Sequence, residues 1–241
     1  MSKKALVTGA SRGIGRAIAG RLASQGYELY LTCLNSMDAL TEYAKQLHEK
    51  YGVGCYPFQG DMGCVADVER LFSSAPIRSL DVLVNNAGIS YIGLLQDMTP
   101  EEWNRVLATN LTGCFLTCRQ AIPLMVSAKK GRILNISSVW GAAGASMEAA
   151  YSASKGAVNS LTKALAKELA PSNIQVNALA CGVIDTDMNR CFSEEELRAL
   201  MEEIPAGRFG TPEEAAVLAC QILEAPEYMT GQIITMDGGW I

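Results

Sequence analysis

Residues 5–26, ALVTGASRGIGRAIAGRLASQG, constrain the fold of this chain more than any other segment. A short apolar run at 5–8 leads into a glycine-rich turn, and apolar residues then recur at helical spacing, at Ile14, Ile18 and Leu22. Gly9 permits a tight turn, while Gly13 and Gly15 allow the backbone to approach a ligand at the helix N-terminus, where free N–H groups favour an anion. The segment predicts a strand, a phosphate-binding turn and a helix. Its spacing, Gly-x-x-x-Gly-x-Gly, is not the Gly-x-Gly-x-x-Gly fingerprint, and such a turn can also serve packing alone.

Strand-like and helix-like segments alternate along the whole chain. We predict strands at residues 5–8, 28–33, 54–59, 82–85, 132–136, 175–180 and 232–236. Helical patterns lie between them, the longest at 101–127 and 149–170. This alternation predicts right-handed crossovers and a parallel sheet covered by helices on both faces. No linker, repeat or low-complexity tract interrupts the pattern, so residues 1–241 are expected to form one domain.

A second pattern brings together a serine, a tyrosine and a lysine. Ser138 follows the strand-like segment RILNIS, and Tyr151 is followed four residues later by Lys155 in the run YSASK. On a helix, Tyr151 and Lys155 share a face, so the ammonium group is expected to lower the pKa of the phenol toward working pH. Ser138 could donate a second hydrogen bond to the same substrate oxygen. The pattern predicts a proton donor, and its alternative is a helix tyrosine beside a surface lysine.

Taken together, the motifs resemble those of the short-chain dehydrogenase/reductase family. They are TGASRGIG at 8–15, NNAG at 85–88, Asn110, Ser138, and the Y-x-x-x-K of Tyr151 and Lys155, in this order. The resemblance covers essentially all 241 residues, and IPAGRFGTPEE and TGQIITMDGG are most similar to the 3-oxoacyl-(acyl-carrier-protein) reductases. It implies a single-domain, Rossmann-type, doubly wound parallel sheet of about seven strands. It also implies an NAD(P)-dependent oxidoreductase that acts on CH–OH groups.

The resemblance also assigns roles to individual residues. Ser138 and Tyr151 are expected to hydrogen-bond a substrate carbonyl oxygen, to which Tyr151 donates its proton. Lys155 is expected to lower the Tyr151 pKa and hold the nicotinamide ribose, and Asn110 to secure a water that links Lys155 to solvent. The expected cofactor contacts are Gly9, Ser11, Arg12, Gly13, Ile14, Gly15, Asn35, Asp61, Met62, Asn86, Ala87, Gly88, Tyr151, Lys155, Ile184 and Thr186.

The end of the second predicted strand bears on which nicotinamide nucleotide fits. An acidic residue there binds the adenosine ribose of NAD, whereas a 2′-phosphate requires that acid to be absent and a cation to be near. Residues 32–36, TCLNS, contain no acid, and Arg12 lies in the glycine turn. Arg12 is expected to pair with the 2′-phosphate and Asn35 or Ser36 to add hydrogen bonds, which favours NADP(H) over NAD(H). Asp61 is similar to the family's aspartate that binds the adenine amino group.

Composition and charge exclude several classes of function. A net charge of −5 and a pI near 5.1 argue against nucleic acid as a partner. No apolar run is long enough to span a membrane and MSKKALVTG enters a strand at once, so a cytoplasmic protein is expected. The eight cysteines include no C-x-x-C pair, so neither a metal site nor a disulfide framework is predicted, and most are expected to be buried. His48, the only histidine, is predicted to lie at the surface, which disfavours a Ser-His-Asp triad.

Departures from the family pattern bear on the substrate. Cys181 replaces the usual proline near the expected cofactor site, and we predict it to be the thiol most able to affect activity. An acidic acyl carrier protein is expected to dock on basic residues, of which half are present, at Lys129, Lys130 and Arg132. Ser172 and Asn173 occupy the other half, and Glu148 adds a negative charge near the entrance. Carrier-protein docking therefore remains open.

Three functions remain open. One is reduction of a 3-oxoacyl thioester linked to a carrier protein or to CoA, and another is oxidation or reduction of a sugar, steroid or secondary metabolite. A third, a non-catalytic nucleotide-sensing protein, is disfavoured because Ser138, Tyr151 and Lys155 are all present. The resemblance implies a homotetramer built on the two longest helices. Small residues that suit close helix contact, or packing within one subunit, are Ala149, Ala153, Gly156, Ala157 and Ser160.

Overall fold

Seven parallel strands form one sheet in the computed structural model, which describes residues 2–74 and 77–241. They are β1 (Lys4–Val7), β2 (Glu28–Cys33), β3 (Cys55–Gln59), β4 (Val82–Asn85), β5 (Gly131–Ser138), β6 (Ile174–Cys181) and β7 (Ile233–Met236). Their order across the sheet is β3-β2-β1-β4-β5-β6-β7. The direction in which strands are added reverses between β1 and β4, and open sheets of this kind bind ligands at the carboxyl ends of the strands beside that reversal.

Helices cover both faces of the sheet. In the described part of the chain they are α1 (Gly13–Ser24), α2 (Met37–Tyr51), α3 (Val65–Ser74), α4 (Pro100–Leu107), α5 (Gly113–Ala128), α6 (Trp140–Ala143), α7 (Ala149–Leu169), α8 (Glu194–Glu203) and α9 (Pro212–Glu224). One core cluster includes α1, α2 and α9, and a second includes α3, α5 and α7. Leu6 and Val7, adjacent in β1, belong to different clusters, as expected for a strand that is buried on both faces. The predicted doubly wound fold is confirmed.

The neighbouring strands β5 and β6 are longer than their apolar patterns predicted. Strands were predicted at 132–136 and 175–180, whereas β5 continues through Ser138 and β6 through Cys181. In the register of the sheet Ser138 pairs with Cys181. The residues at the end of β5 are polar, so the apolar pattern of the sequence stops before the strand does. The strand itself continues to the edge of the site.

The long helix predicted at 101–127 is wrong in one respect, because a π-helical stretch at Ala108–Thr112 separates α4 from α5. Asn110 lies in this stretch, where its Oδ1 accepts a hydrogen bond from Ile89 N and its Nδ2 donates to Ile89 O, each at 2.9 Å. A π-helical turn widens the helix locally, and the apolar periodicity of a sequence does not reveal it. The helix predicted at 149–170 is α7, which ends one residue earlier.

The remaining predictions about single residues concern burial. His48 is exposed, as expected. Five cysteines are buried, Cys55 is half-buried and Cys64 is exposed, while the side chain of Cys191 lies outside the described residues. Within the part of the chain that the structure describes, no helix is both long and apolar enough to cross a membrane.

Candidate active site

The carboxyl ends of the strands open into a cavity of about 910 Å³. Every residue predicted to belong to the site lines this cavity except Gly15 and Asn110. The cavity extends from the glycine turn and the end of β2, past Ser138 and Tyr151, to the segment that carries α8. Its size suits a dinucleotide together with a small substrate.

The glycine turn fits a phosphate group. Gly9 and Gly13 have left-handed φ angles of 65° and 55°, which favour glycine. Arg12 precedes the first turn of α1 without a side-chain cap, and that turn contains no acidic residue. The backbone N–H groups of this first turn of α1 are therefore free to bind an anion.

Gly15 lies behind the turn rather than in the cavity. A Cβ added to it would collide with Asn86 Nδ2 and with Gly9 O. Asn86 Nδ2 donates hydrogen bonds to Thr8 O at 2.9 Å and to Gly9 O at 3.0 Å. Because Gly15 has no side chain, the segment that follows β4 can hold the glycine turn in place. Gly15 was predicted to contact the cofactor directly, and in the structure it supports the turn instead.

The other end of the dinucleotide region carries polar groups and a cation. Asn35 and Ser36 are exposed after β2, and the side chain of Arg12 is 70% exposed. Arg12 Nη1 lies 3.6 Å from Asp187 Oδ2, so the guanidinium is near the loop that follows β6 but remains largely accessible. Asp61 Oδ1 accepts a hydrogen bond from Gly63 N at 2.8 Å, which orients its carboxylate.

Ser138 and Tyr151 meet at the centre of the cavity. Ser138 ends β5 and Tyr151 lies in the first turn of α7, and their hydroxyl groups share a hydrogen bond. Burial raises the pKa of Tyr151 well above its usual range, and the charge of Glu148 raises it further, although the bond to Ser138 opposes both. The expectation that the Tyr151 pKa is lowered is therefore wrong in this structure, because burial has the largest effect.

Lys155 is buried beneath Tyr151. Its Nζ donates a hydrogen bond to Ile136 O at 2.8 Å and lies 5.5 Å from the centroid of the Tyr151 ring. Burial lowers the pKa of Lys155. A Cβ added to Gly88 would be 3.5 Å from Lys155 Nζ, so the absence of a side chain at Gly88 leaves room beside the ammonium group.

Asn110 supports the site from behind. It is 1% exposed, and in addition to its bonds with Ile89 its Nδ2 donates to Ser154 Oγ at 3.0 Å. Both N–H groups of its amide are committed to these protein partners, whereas Oδ1 accepts one bond and keeps a second acceptor site. A water linked to Lys155 would have to bond to that site or to the Asn110 carbonyl, which already accepts from Cys114 Sγ at 3.2 Å.

A buried polar network joins the strands that carry the site to α7. Asn85 Nδ2 donates to Asn135 Oδ1 at 2.9 Å, and Asn135 Nδ2 donates to Thr162 Oγ1 at 2.8 Å. Ser137 Oγ donates to Asn159 Oδ1 at 2.7 Å, one turn of α7 beyond Lys155. No buried side-chain nitrogen or oxygen in the described residues lacks a partner.

The far end of the cavity is mostly apolar. The residues there that were not among the predicted catalytic or cofactor-binding residues are Ser90, Tyr91, Ile92, Trp140, Phe192, Leu200 and Trp240. The rings of Trp140 and Trp240 meet edge to face with centroids 4.7 Å apart. Trp140, two residues after Ser138, had a sequence signal that could have revealed it, whereas Trp240 reaches the cavity from the far end of the chain.

Cys181 lines the cavity but is poorly suited to react. It is 5% exposed, and burial raises the pKa of its thiol to about 12 although Lys155 opposes the shift. The thiolate, which is the reactive form, is therefore scarce at neutral pH. The predicted importance of this thiol for activity stays a prediction, and the structure gives it little support.

Known proteins resemble this chain over its full length. The short chain dehydrogenase family matches residues 3–197. An uncharacterized oxidoreductase of Bacillus subtilis, YmfI, is 39% identical over 241 residues, which are 100% of this chain and 99% of that protein. The 3-oxoacyl-[acyl-carrier-protein] reductase FabG of Aquifex aeolicus is 41% identical over 98% of this chain and 96% of its own length.

A solved structure supports the same relationship. YwfH, described as an NADPH-dependent reductase involved in bacilysin biosynthesis, superposes with a TM-score of 0.93 at 28% identity, over 100% of this chain and 99% of its own. The family match, the full-length relatives and the shared fold agree with the Ser-Tyr-Lys cluster at the carboxyl edge of the sheet. The chain is therefore an oxidoreductase of the short-chain dehydrogenase/reductase family.

Proposed function

We propose that this protein reduces 3-oxoacyl thioesters to 3-hydroxyacyl thioesters with NADPH. The observation that carries the proposal is the meeting of Ser138, Tyr151 and Lys155 in one cavity with the glycine turn. The relatives named as 3-oxoacyl-[acyl-carrier-protein] reductases support the choice of substrate class. NADPH, when bound, would supply a hydride to the substrate carbonyl carbon.

The three residues would divide the work of the proton transfer. Ser138 and Tyr151 donate hydrogen bonds to the carbonyl oxygen, and Tyr151 gives up its proton as negative charge develops there. Because burial raises the Tyr151 pKa, the phenol carries its proton at neutral pH and acts as an acid. Lys155 uses one of its three N–H donors on Ile136 O, which leaves two for the cofactor ribose.

The preference for NADPH rests on charge. Arg12 is exposed beside the glycine turn, and Asn35 and Ser36 follow β2 without an acidic neighbour. We expect Arg12→Gln to weaken NADPH binding by about tenfold or more while changing NADH binding much less. Arg78→Gln removes the same charge from an exposed residue away from the cavity and is the matched control. Equal losses for the two nucleotides would contradict the assignment.

A CoA-linked substrate is favoured over one on a carrier protein. Lys129 and Lys130 are exposed, but Arg132 Nη1 donates to Ala225 O at 2.7 Å and is only partly exposed. The basic patch expected for an acidic carrier is therefore thinner in the structure than in the sequence.

We also propose a homotetramer. Ala153 and Ser160 present an exposed face of α7, whereas a Cβ added to Gly156 would be 3.3 Å from Gly141 O of its own subunit.

The test of the proposed function is oxidation of NADPH and of NADH with acetoacetyl-CoA, followed by absorbance. We expect NADPH to be the better donor, and Tyr151→Phe to lower the rate by about 10²–10⁴-fold while NADPH still binds. Tyr228→Phe makes the same change at a fully exposed tyrosine and should not affect the rate. NADPH binding without turnover of the thioester would reject the proposal.

A second function is reduction of another uncharged ketone. It is favoured by the carboxyl group of Glu148 in the cavity wall and by the commitment of Arg132 to Ala225. Turnover of a cyclic or hydroxylated ketone, faster than that of acetoacetyl-CoA and equally dependent on Tyr151, would favour this function over the first.

A further inference from the structure

Glu148 occupies the wall of the cavity next to Tyr151. It precedes the first turn of α7 in the capping position, but its side chain caps none of the backbone N–H groups of the helix. Instead its Oε2 accepts a hydrogen bond from Ser90 Oγ at 2.9 Å. Both residues line the cavity, so this carboxyl group belongs to the surface that a substrate meets.

The backbone holds this pair in place. Gly93 N donates a hydrogen bond to Met147 O at 2.8 Å. Met147 adopts a left-handed φ of 63°, a conformation that a non-glycine residue keeps only where its surroundings impose it. The loop that carries Ser90 is thus tied to the segment that carries Glu148 by one backbone bond and one side-chain bond.

The charge of Glu148 is not neutralised by a neighbouring cation. None of the ion pairs found within the described residues includes it. Its Oε1 accepts none of the hydrogen bonds found there. Because no buried side-chain oxygen in that part of the chain lacks a partner, Oε1 is accessible rather than buried. Burial raises the pKa of Glu148, and the hydrogen bond from Ser90 offsets part of that rise.

The cations that line the cavity in the described part of the chain are Arg12, Arg105 and Lys155, and none forms an ion pair with Glu148. Arg105 lies on α4 and takes part in none of the ion pairs found within the described residues. Lys155 is buried and bonded to Ile136 O. Among the described residues that line the cavity, Glu148 is therefore a carboxyl group without a paired cation.

We propose that Glu148, held by Ser90, selects substrates by charge, so that the site excludes ketones with a carboxylate near the carbonyl and admits uncharged esters and thioesters. The inference rests on the proposed function only in that it takes this cavity as the carbonyl site. A substrate carboxylate entering the cavity would meet Glu148 without a compensating cation, and like charges repel more strongly in a partly buried site than in water. An uncharged ester or thioester avoids that repulsion.

The experiment compares acetoacetate with ethyl acetoacetate, which carry the same 3-oxo group and differ in charge. The measured quantity is the acid-to-ester ratio of kcat/KM with NADPH, in the wild type and in Glu148→Gln. We expect Glu148→Gln to raise this ratio about tenfold, which corresponds to about 1.4 kcal/mol. Glu227→Gln removes an exposed charge far from the cavity and should leave the ratio at the wild-type value. Ser90→Ala keeps the charge of Glu148 but removes the hydrogen bond that holds its carboxyl group. It should therefore raise the acid-to-ester ratio less than Glu148→Gln does.

A binding measurement separates this inference from the proposed function. The fluorescence of Trp140 and Trp240 in the cavity can report binding of the acid and the ester without turnover. A binding ratio that rises in Glu148→Gln supports the inference even if acetoacetyl-CoA is not reduced, an outcome that rejects only the proposed function. Ratios of binding and turnover that stay within about twofold of the wild type in Glu148→Gln would overturn the inference.

Discussion

Replacement of Asn135 tests whether the buried polar network holds the strands of the candidate site against α7. Asn135 is 0% exposed in the centre of β5. Its Oδ1 accepts from Asn85 Nδ2 at 2.9 Å, and its Nδ2 donates to Thr162 Oγ1 at 2.8 Å. These bonds join β4, β5 and α7, which carry the NNAG segment, Ser138 and the Tyr151–Lys155 pair. Asn135→Ala removes both.

The size of the effect follows from what each partner retains. Asn85 Nδ2 keeps only a 3.4 Å contact with Cys118 Sγ, so the variant leaves a buried donor almost unpaired, at a cost of about 1–3 kcal/mol. Thr162 Oγ1 still donates to Val158 O at 2.8 Å and loses one accepted bond, worth about 0.5–1.5 kcal/mol. We therefore expect the free energy of unfolding to fall by about 1.5–4.5 kcal/mol.

Urea unfolding, followed by circular dichroism, measures this loss. Asn104→Ala is the matched control, because Asn104 is exposed on α4, and its effect should stay within about 0.5 kcal/mol. The double variant of Asn85→Ala and Asn135→Ala should lose less than the sum of the single variants, since the unpaired donor is then absent. A loss below about 1 kcal/mol in Asn135→Ala, or strict additivity in the double variant, would refute the reasoning.

Three further predictions follow from the site. Burial raises the pKa of Glu148, so above the unfolded pKa the folded protein binds more protons than the unfolded chain. The folded protein therefore loses stability as pH rises through this range. Glu148→Gln should raise Tm at pH 7 but not near about pH 4. Iodoacetamide should label exposed Cys64 before buried Cys181, and peptide mapping that finds Cys181 first would contradict the burial argument. Gly15→Ala should lower the unfolding free energy by about 1–3 kcal/mol and weaken NADPH binding, because its Cβ collides with Asn86; unchanged binding by calorimetry would show that the clamp on the glycine turn is dispensable.

The positions of the strands along the sequence were predictable because they depend on local patterns. Strands predicted at 28–33 and 82–85 coincide with β2 and β4, and the glycine turn, with its left-handed Gly9 and Gly13, lies where the spacing put it. These elements are defined by runs of apolar residues and by backbone angles that few residues adopt. Such signals are local in the sequence, so tertiary structure does not change them.

Features that depend on distant partners were not predictable. The π-helical stretch at Ala108–Thr112 accompanies the bonds of Asn110 to Ile89 and Ser154, residues that lie 21 and 44 positions away. The polar end of β5, Ser137 and Ser138, is a strand because it pairs with Ala180 and Cys181 of β6, not because it is apolar. Trp240 reaches the cavity only through the packing of the C-terminal segment on Trp140.

The pKa of Tyr151 shows why a sequence pattern alone misjudged the electrostatics. The Y-x-x-x-K spacing brings a cation near the phenol, but it does not report the loss of solvent that accompanies the approach, and burial disfavours the charged forms of both Tyr151 and Lys155. In the proposed reaction Lys155 therefore contributes less while Tyr151 is protonated than after Tyr151 has transferred its proton. Once Tyr151 has given up its proton, a buried phenolate remains, and the ammonium of Lys155, 5.5 Å from the ring centroid and fixed by Ile136 O, is the group placed to stabilise it. Burial keeps the acid protonated at rest, and the neighbouring charge offsets the cost of the ion that the proton transfer creates.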